Sequence, residues 1–225
     1  MGLGSFRHYI QLIESGTDEE FDNFLNAITT NLTSFFRERH HFDFLRDTVF
    51  PELEKKPLNR VRFWSAGCST GEEAYSIAMT VRSHFQKAAR TRILATDLDA
   101  NVLQHGRRGI YDASRVAGLD RSLLQRYFRH EKQTGNVQVK ETIRDLVTFN
   151  RLNLLGEWPI KHTFEVIFCR NVLIYFDKTT QEKLIKRYIQ RLSSRGYLII
   201  GHSENISYFQ NELDFIGQTI YRKQA

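Results

Sequence analysis

An α/β fold with a mostly parallel sheet is what the sequence predicts, and three stretches predict it. Residues 61–66 are an apolar, β-favouring run, followed by the small-residue turn Gly67-Cys68-Ser69-Thr70-Gly71 and a helix-compatible run from Glu72. Residues 92–97 form a second apolar run that ends in an acid, Asp97. Residues 164–169 form another buried strand, with polar residues directly after it. Strand, glycine turn and helix open a nucleotide-binding unit, and polar groups at the carboxyl ends of central strands point into the crevice where such folds hold ligands.

The turn narrows the ligand. Gly67 and Gly71 have no Cβ, so the backbone there can come close to a bound group. A phosphate-cradling loop ends in Gly-Lys-Ser/Thr, whereas Gly71 is followed by Glu72 and Glu73. Carboxylates complement a helix N-terminus but repel a pyrophosphate. The dinucleotide pattern G-x-G-x-x-G is also absent, the spacing being Gly67-x-x-x-Gly71. A nucleoside with positive charge fits better. S-adenosylmethionine is one, with a sulfonium, an ammonium and no phosphate. Asp97, at the tip of the second strand, is placed to accept hydrogen bonds from two ribose hydroxyls. The plain alternatives are a simple strand–helix turn and a helix-capping Asp.

Length and composition set bounds. With 225 residues the chain can bury a substantial core as one large domain, or as one domain and a small appendage. Hydrophobic residues make up 41% and only three prolines occur, which argues against disorder. No apolar run nears the ~20 residues that span a bilayer, so no membrane insertion is expected. The start, Met1 to Phe6, lacks the charged and apolar regions of a signal peptide. Two cysteines, Cys68 and Cys169, make no disulfide framework, and a reduced, cytoplasmic protein is expected. Neither has a nearby His suited to activating a thiol, so both read as small packing residues. The net charge of +6 is uneven, with −4 in residues 1–30 and +10 in the rest. A basic body fits an acidic partner, either nucleic acid or an acidic protein surface.

Taken in order, residues 1–50 read as an N-terminal helical segment. Phe6, Tyr9, Ile10 and Ile13 keep helical spacing, Gly16 interrupts, and Phe21, Phe24, Leu25 and Ile28 share a face of a second helix. In the stretch from Thr29 to Phe42, Asn31 and Thr33 can cap a helix or hydrogen-bond a ligand. Phe35 and Phe36 read as core with Arg37 at their edge, and helix is expected to continue until Pro51. A charged linker, 52–60, precedes the first strand. Asp99 is the expected cap of a helix from Ala100, and Asp120 that of a helix over 119–128. Residues 129–149 read as a small antiparallel β-subdomain inserted in the sheet, with turn chemistry at Lys132 to Asn136. Asn153 follows the third strand and could lie beside an adenine. Residues 178–192 form an amphipathic helix with Leu184, Ile185, Tyr188, Ile189 and Leu192 inward, ended by Gly196. The last strand, 218–222, is expected to be an antiparallel edge partner. No metal site is predicted, because His40 and His41 are adjacent and should face different directions.

With these segments in place, the chain resembles the CheR-type chemotaxis-receptor methyltransferases, from about Phe24 to Tyr221. Four motifs carry the resemblance: Thr29-Thr30-Asn31-Leu32-Thr33-Ser34-Phe35-Phe36-Arg37-Glu38; Ser69-Thr70-Gly71-Glu72-Glu73; Cys169-Arg170-Asn171-Val172-Leu173-Ile174-Tyr175-Phe176; and Gly201-His202-Ser203-Glu204-Asn205. It implies a Rossmann-like S-adenosylmethionine-dependent methyltransferase fold over 51–225, with an antiparallel last strand. It also implies methyl transfer to glutamate side chains of bacterial chemoreceptors, whose cytoplasmic helical domain is then the partner, with S-adenosylhomocysteine as product. Cofactor contacts would fall on Asn31, Thr33, Arg37, Glu73, Asp97, Asn153, Leu154, Arg170 and Asn171. Arg37 and Tyr175 would border the acceptor.

Two features depart from the family pattern. Only about 28 residues precede the Thr29 motif, and they are acidic, where the family carries a longer helical domain with a basic helix. The hairpin at Lys132 to Asn136 is short, which leaves open the receptor's C-terminal pentapeptide tether as a partner. The rival classes are a nucleic-acid methyltransferase and a non-catalytic cofactor-binding adaptor. Amino-methylating nucleic-acid enzymes often carry Asp/Asn-Pro-Pro-Tyr after the fourth strand. Here Arg170-Asn171-Val172-Leu173 fills that place without a proline, so no nucleic acid is expected.

Overall fold

Apolar residues alternate along the central strands, and that alternation sorts the core onto two faces of one sheet. A computed structural model describes residues 32–131 and 133–225. The helices expected before residue 29, Asn31 and the turn residue Lys132 lie outside them. Among the described residues the strands are β1 (Val61–Ala66), β2 (Thr91–Asp97), β3 (Ile110–Tyr111), β4 (Phe128–His130), β5 (Val137–Val139), β6 (Val147–Arg151), β7 (Phe164–Cys169), β8 (Leu192–Ile200), β9 (Leu213–Gly217) and β10 (Ile220–Lys223). The α-helices are α1 (His40–Phe44), α2 (Phe50–Glu54), α3 (Glu72–His84), α4 (Ala100–Arg108), α5 (Arg121–Tyr127), α6 (Glu141–Arg144) and α7 (Lys178–Arg191).

The main sheet has the order β6-β2-β1-β7-β8-β10-β9. β6, β2, β1, β7 and β8 run parallel, and β10 is antiparallel to both β8 and β9. The chain winds outward from β1 through β2 to β6, then returns to β7 on the other side of β1. That reversal opens a crevice beyond the ends of β1 and β7, the place where such sheets bind ligands. Phe63, Ile93, Val166, Phe168 and Ile199 join one buried cluster with α1, α2 and α3. Their neighbours Trp64, Ile167, Cys169, Leu198 and Ile200 join another, under Leu184, Ile185 and Tyr188 of α7. Phe42, Leu45 and Phe50 thus share a core with β1 and β7, so packing is continuous across position 51.

Several expectations are corrected. Residues 33–39 are not helical; α1 starts at His40, because Phe36 (φ 53°) and Glu38 (φ 56°) take left-handed conformations. Helix also does not stop at Pro51. A π-helical turn, Leu45–Val49, leads into α2, and Pro51 falls in its first turn, where no N–H is required. The small antiparallel sheet has the order β3-β5-β4 and begins at residue 110. Residues 147–151 belong to the main sheet, pairing in parallel with β2 from Ile93↔Val147 to Asp97↔Arg151. Gly196 does not end α7; the sheet takes over at Leu192, which sits opposite Phe164. The strand then bulges through Arg195 (φ 58°) before Tyr197 meets Val166.

β10 is likewise not the edge. It lies between β8 and β9, and β9 is the edge strand. The β9–β10 turn places Gln218 (φ 50°) and Thr219 (φ 61°) in left-handed backbone without the Asn-Gly pair that usually announces such a hairpin. Tertiary bonds hold it instead: Thr219 Oγ1 donates to Ile200 O at 2.8 Å. The caps fare better. Asp99 accepts from Asn101 N and Val102 N at the start of α4. Asp120 stands at the N-cap of α5, though its carboxylate turns to Arg39 at 3.5 Å.

Candidate functional site

The crevice floor is the glycine turn. Gly67 (φ 82°), Ser69 (φ 48°) and Gly71 (φ 98°) are left-handed at alternate positions, which brings the backbone close beneath the crevice. A Cβ on Gly67 would collide with Val172. Gly67 N and Cys68 N both donate to Thr96 O, at 2.8 and 2.9 Å, which locks the turn to β2. Beside it Asp97 accepts from Ser69 N at 2.8 Å and Asp99 N at 3.2 Å. Burial raises the Asp97 carboxyl, and these amides pull the other way. Leu152 N donates to Asp97 O at 2.9 Å, so the loop after β6 sits next to Asp97. There Asn153 Oδ1 accepts from Leu155 N at 2.9 Å, and Leu154 O takes Trp158 Nε1 and Arg187 Nη1 at 3.1 and 2.6 Å.

Arg170, at the end of β7, is the hub of the other wall. Its Nε donates to Glu73 Oε2 at 2.7 Å, and Ser65 Oγ donates to Glu73 Oε1 at 2.6 Å. Arg170 Nη1 donates to Arg37 O at 2.6 Å and to His41 Nδ1 at 3.0 Å. A buried ion pair persists only with such full satisfaction of its polar atoms. Glu73 is an expected cofactor contact; in this structure both of its oxygens already have protein donors.

A strap over residues 33–39 crosses this wall. Phe35 is wedged between Tyr111 and Phe128 of the small sheet, with ring centroids 5.0 and 5.4 Å away. Phe36 N donates to Ser76 Oγ at 2.9 Å. Arg115 donates to Thr33 O at 2.9 Å and pairs with Glu72. Arg37 Nη1 donates to Leu32 O at 2.9 Å. The fold therefore links Arg37, Glu73 and Arg170 directly, ties Thr33 to Glu72 through Arg115, sets the loop of Asn153 and Leu154 beside Asp97, and puts Asn171 and Tyr175 on the turn after β7. Tyr175 is 58% exposed there.

Sequence reasoning missed two organising residues. Glu204 is buried, and its carboxylate accepts four backbone amides: Asn171 N at 3.0 Å, Val172 N at 2.9 Å, Leu173 N at 2.7 Å and Gly201 N at 2.5 Å. It ties the loop after β8 to the turn that holds Asn171 (φ 59°) and Tyr175. Its place in the Gly201–Asn205 motif was the available signal. His41 is fully buried, and nothing in its sequence surroundings marked it. Arginine only donates, so His41 Nδ1 must accept, and its Nε2–H donates to Gln218 O at 3.0 Å. Burial, and next the Arg170 charge, push this imidazole down to about 4.

That depression has a pH consequence. Below about 6.5 the unfolded chain protonates this His while the native state does not until about 4. Stability is full above that range and falls as pH drops through it, by about 3 kcal/mol. Between pH 6.5 and 4, denaturant titrations should show the native chain losing about that much more stability than His41→Asn. Equal losses would show that His41 is not held neutral.

His40 and His41 do not diverge as expected. Their ring centroids are 4.1 Å apart, and with Glu38 they offer three ligand atoms within 4.8 Å of one another. Arg170 is bonded to His41 Nδ1 and lies 3.8 Å from Glu38 Oε2, so a guanidinium already provides the positive charge at this point. The cysteines are buried and burial raises both thiols, as inert packing residues require.

Charge in the crevice opposes that of the body. Glu72, Glu73, Asp99 and Glu204 are buried around it; Arg115 pairs with Glu72, and Arg170, the one buried lysine or arginine among the described residues, pairs with Glu73, so the acids outnumber the bases. An acid-rich crevice repels phosphates and accommodates a cationic nucleoside. Among the described residues, no helix is long and apolar enough to cross a membrane.

Comparison with known proteins agrees with this geometry. Residues 31–222 match the family model described as CheR methyltransferase, SAM binding domain. The chain is 43% identical to a probable chemotaxis protein methyltransferase of Rhizobium etli, over 99% of this chain and 86% of that one. It is 42% identical to the chemotaxis protein methyltransferase of Escherichia coli K12, covering 98% of this chain and 77% of the relative. The Borreliella burgdorferi chemotaxis protein methyltransferase is 40% identical, with 99% and 81% covered. A parallel sheet with its switch point over a glycine turn, an acid-lined crevice and a full-length match make one case: the chain belongs to the CheR methyltransferase family and carries its S-adenosylmethionine-binding domain.

Proposed function

We infer that this chain methylates glutamate side-chain carboxylates in the cytoplasmic helical domain of bacterial chemoreceptors, forming methyl esters for chemotactic adaptation. The observation that carries the reading is the acid-lined crevice within a domain that matches the family over residues 31–222. The residues fit the cofactor. The left-handed turn at Gly67 and Gly71 opens the strand end toward the crevice, and Asp97 stands at the strand tip suited to a ribose.

Asn31, Thr33, Arg37, Glu73, Asp97, Asn153, Leu154, Arg170 and Asn171 would hold the cofactor, with Asn153 on the adenine side and Asp97 on the ribose. When bound, the cofactor would supply a sulfonium methyl for in-line attack by a carboxylate oxygen, with the thioether S-adenosylhomocysteine as the leaving group. The acceptor glutamate is ionised at neutral pH, so no general base is required. What the chain supplies is position and dryness. Arg37 would orient one carboxylate oxygen by a charge-assisted bond, and Tyr175 would donate a second. Glu73, already paired with Arg170, would fix that guanidinium at the cofactor's methionine end.

The test of the reaction is transfer of radiolabelled methyl from S-adenosylmethionine to receptor cytoplasmic fragments. Base-labile label on glutamate is the expected result. No label, with cofactor still bound, would make the chain an adaptor, and label on nucleic acid would move it to the rival class. For the cofactor, Asp97→Ala should weaken binding at least about tenfold by calorimetry, the loss of two hydrogen bonds to a charged acceptor. Unchanged affinity removes Asp97 from the ribose.

A further inference from the structure

We propose that Glu38 is a positioning residue for methyl transfer, acting through Arg37; the proposal rests on the role given to Arg37 above. Three consecutive strap residues are pinned by three different elements. Phe36 N is held by Ser76 of α3 at 2.9 Å, and Arg37 O by Arg170 of β7 at 2.6 Å. Glu38 Oε1 meets His202 Nδ1, on the loop after β8, at 3.2 Å. Phe36 and Glu38, on either side of Arg37, are both left-handed, at φ 53° and 56°. Non-glycine residues hold that conformation only where the surroundings over-determine it.

The Glu38 side chain is nine-tenths buried, yet its Oε2 makes no hydrogen bond. The reason lies in its neighbours. His41 Nδ1, 3.6 Å away, is already an acceptor from Arg170, and Arg170 Nη1 itself is 3.8 Å away. Glu38 is thus a second carboxylate facing a guanidinium that Glu73 already neutralises. A buried carboxylate with an unmade bond is costly, and the packing of Phe35 and Phe36 does not require one. Its position explains its presence: it draws the strap toward Arg170 from the β8 side while Ser76 holds it from the α3 side. The peptide that carries Arg37 is fixed between them.

The test is a cycle of Arg37→Ala, Glu38→Gln and the double variant, reading kcat for methyl transfer to receptor fragments and cofactor affinity by calorimetry. Glu38→Gln should lower kcat about 10- to 100-fold, as misplacement of a catalytic group does, with cofactor affinity nearly unchanged. Added to Arg37→Ala it should cost nothing more, because the group it positions is gone. Losses that multiply in the double variant would be those of independent or merely structural effects and would overturn the proposal. Wild-type kcat in Glu38→Gln would do the same. Wild-type turnover in Arg37→Ala overturns the role of Arg37 and this proposal with it, so the two failures are distinguishable. If Glu38→Gln does not fold, His202→Asn replaces it. His202 has a 66% exposed side chain, and its loss should lower kcat only when Arg37 is present.

Discussion

Arg170→Met should be the most destabilising single substitution in the site. Removing the guanidinium strands Glu73 as an uncompensated buried carboxylate and frees Arg37 O and His41 Nδ1. Breaking one side of a buried pair costs about 3–5 kcal/mol. At this chain length that lowers the thermal midpoint by roughly 10 °C. Glu73→Gln in the same background should restore part of the loss, since a neutral amide can still accept from Ser65 Oγ and no charge is left behind. Thermal melts of the two variants decide the matter. A single variant as stable as the native chain would show that the pair is not the keystone of this wall.

Glu204→Gln comes second, and its logic is geometric. Each oxygen of Glu204 accepts two backbone N–H groups: Val172 and Leu173 on one, Asn171 and Gly201 on the other. Whichever way a glutamine amide turns, its NH2 faces two donors. Two bonds are lost and two amides are left unsatisfied, at about 1–3 kcal/mol for each stranded group. The turn with Asn171 and Tyr175 then loses its anchor, so turnover should fall even at temperatures where the fold survives. Native stability and turnover in this variant would show that the β8 loop holds the turn by other means.

The parts of the fold visible in the sequence were the local ones. The glycine turn, the acid ending β2, the Asp99 cap and the amphipathic α7 each follow from spacing within a dozen residues. What escaped was set by distant contacts. Gln218 and Thr219 are poor left-handed residues by type, and their turn is made by bonds to Ile200 and His41. The strap reads as helix by composition, but left-handed Phe36 and Glu38 are held by Ser76, Arg170 and His202, none of which is near in the chain. The site residues were placed along the sequence by motif, but their alliances were not. That Glu73 belongs to Arg170 rather than facing the crevice alone is legible only in three dimensions.

The strand order has a consequence for how the site comes into being. β1 and β7 are neighbours in the sheet, yet the Glu73–Arg170 bond, from the start of α3 to the residue after β7, closes a loop of 97 residues. Closing so long a loop is entropically late, and contacts of that span slow folding. During synthesis the glycine turn and both glutamates leave the ribosome well before β7 does. Until β7 docks, Glu73 has no counter-charge and stays in water. The crevice is therefore a property of the finished sheet: its two walls come together only where β7 returns beside β1.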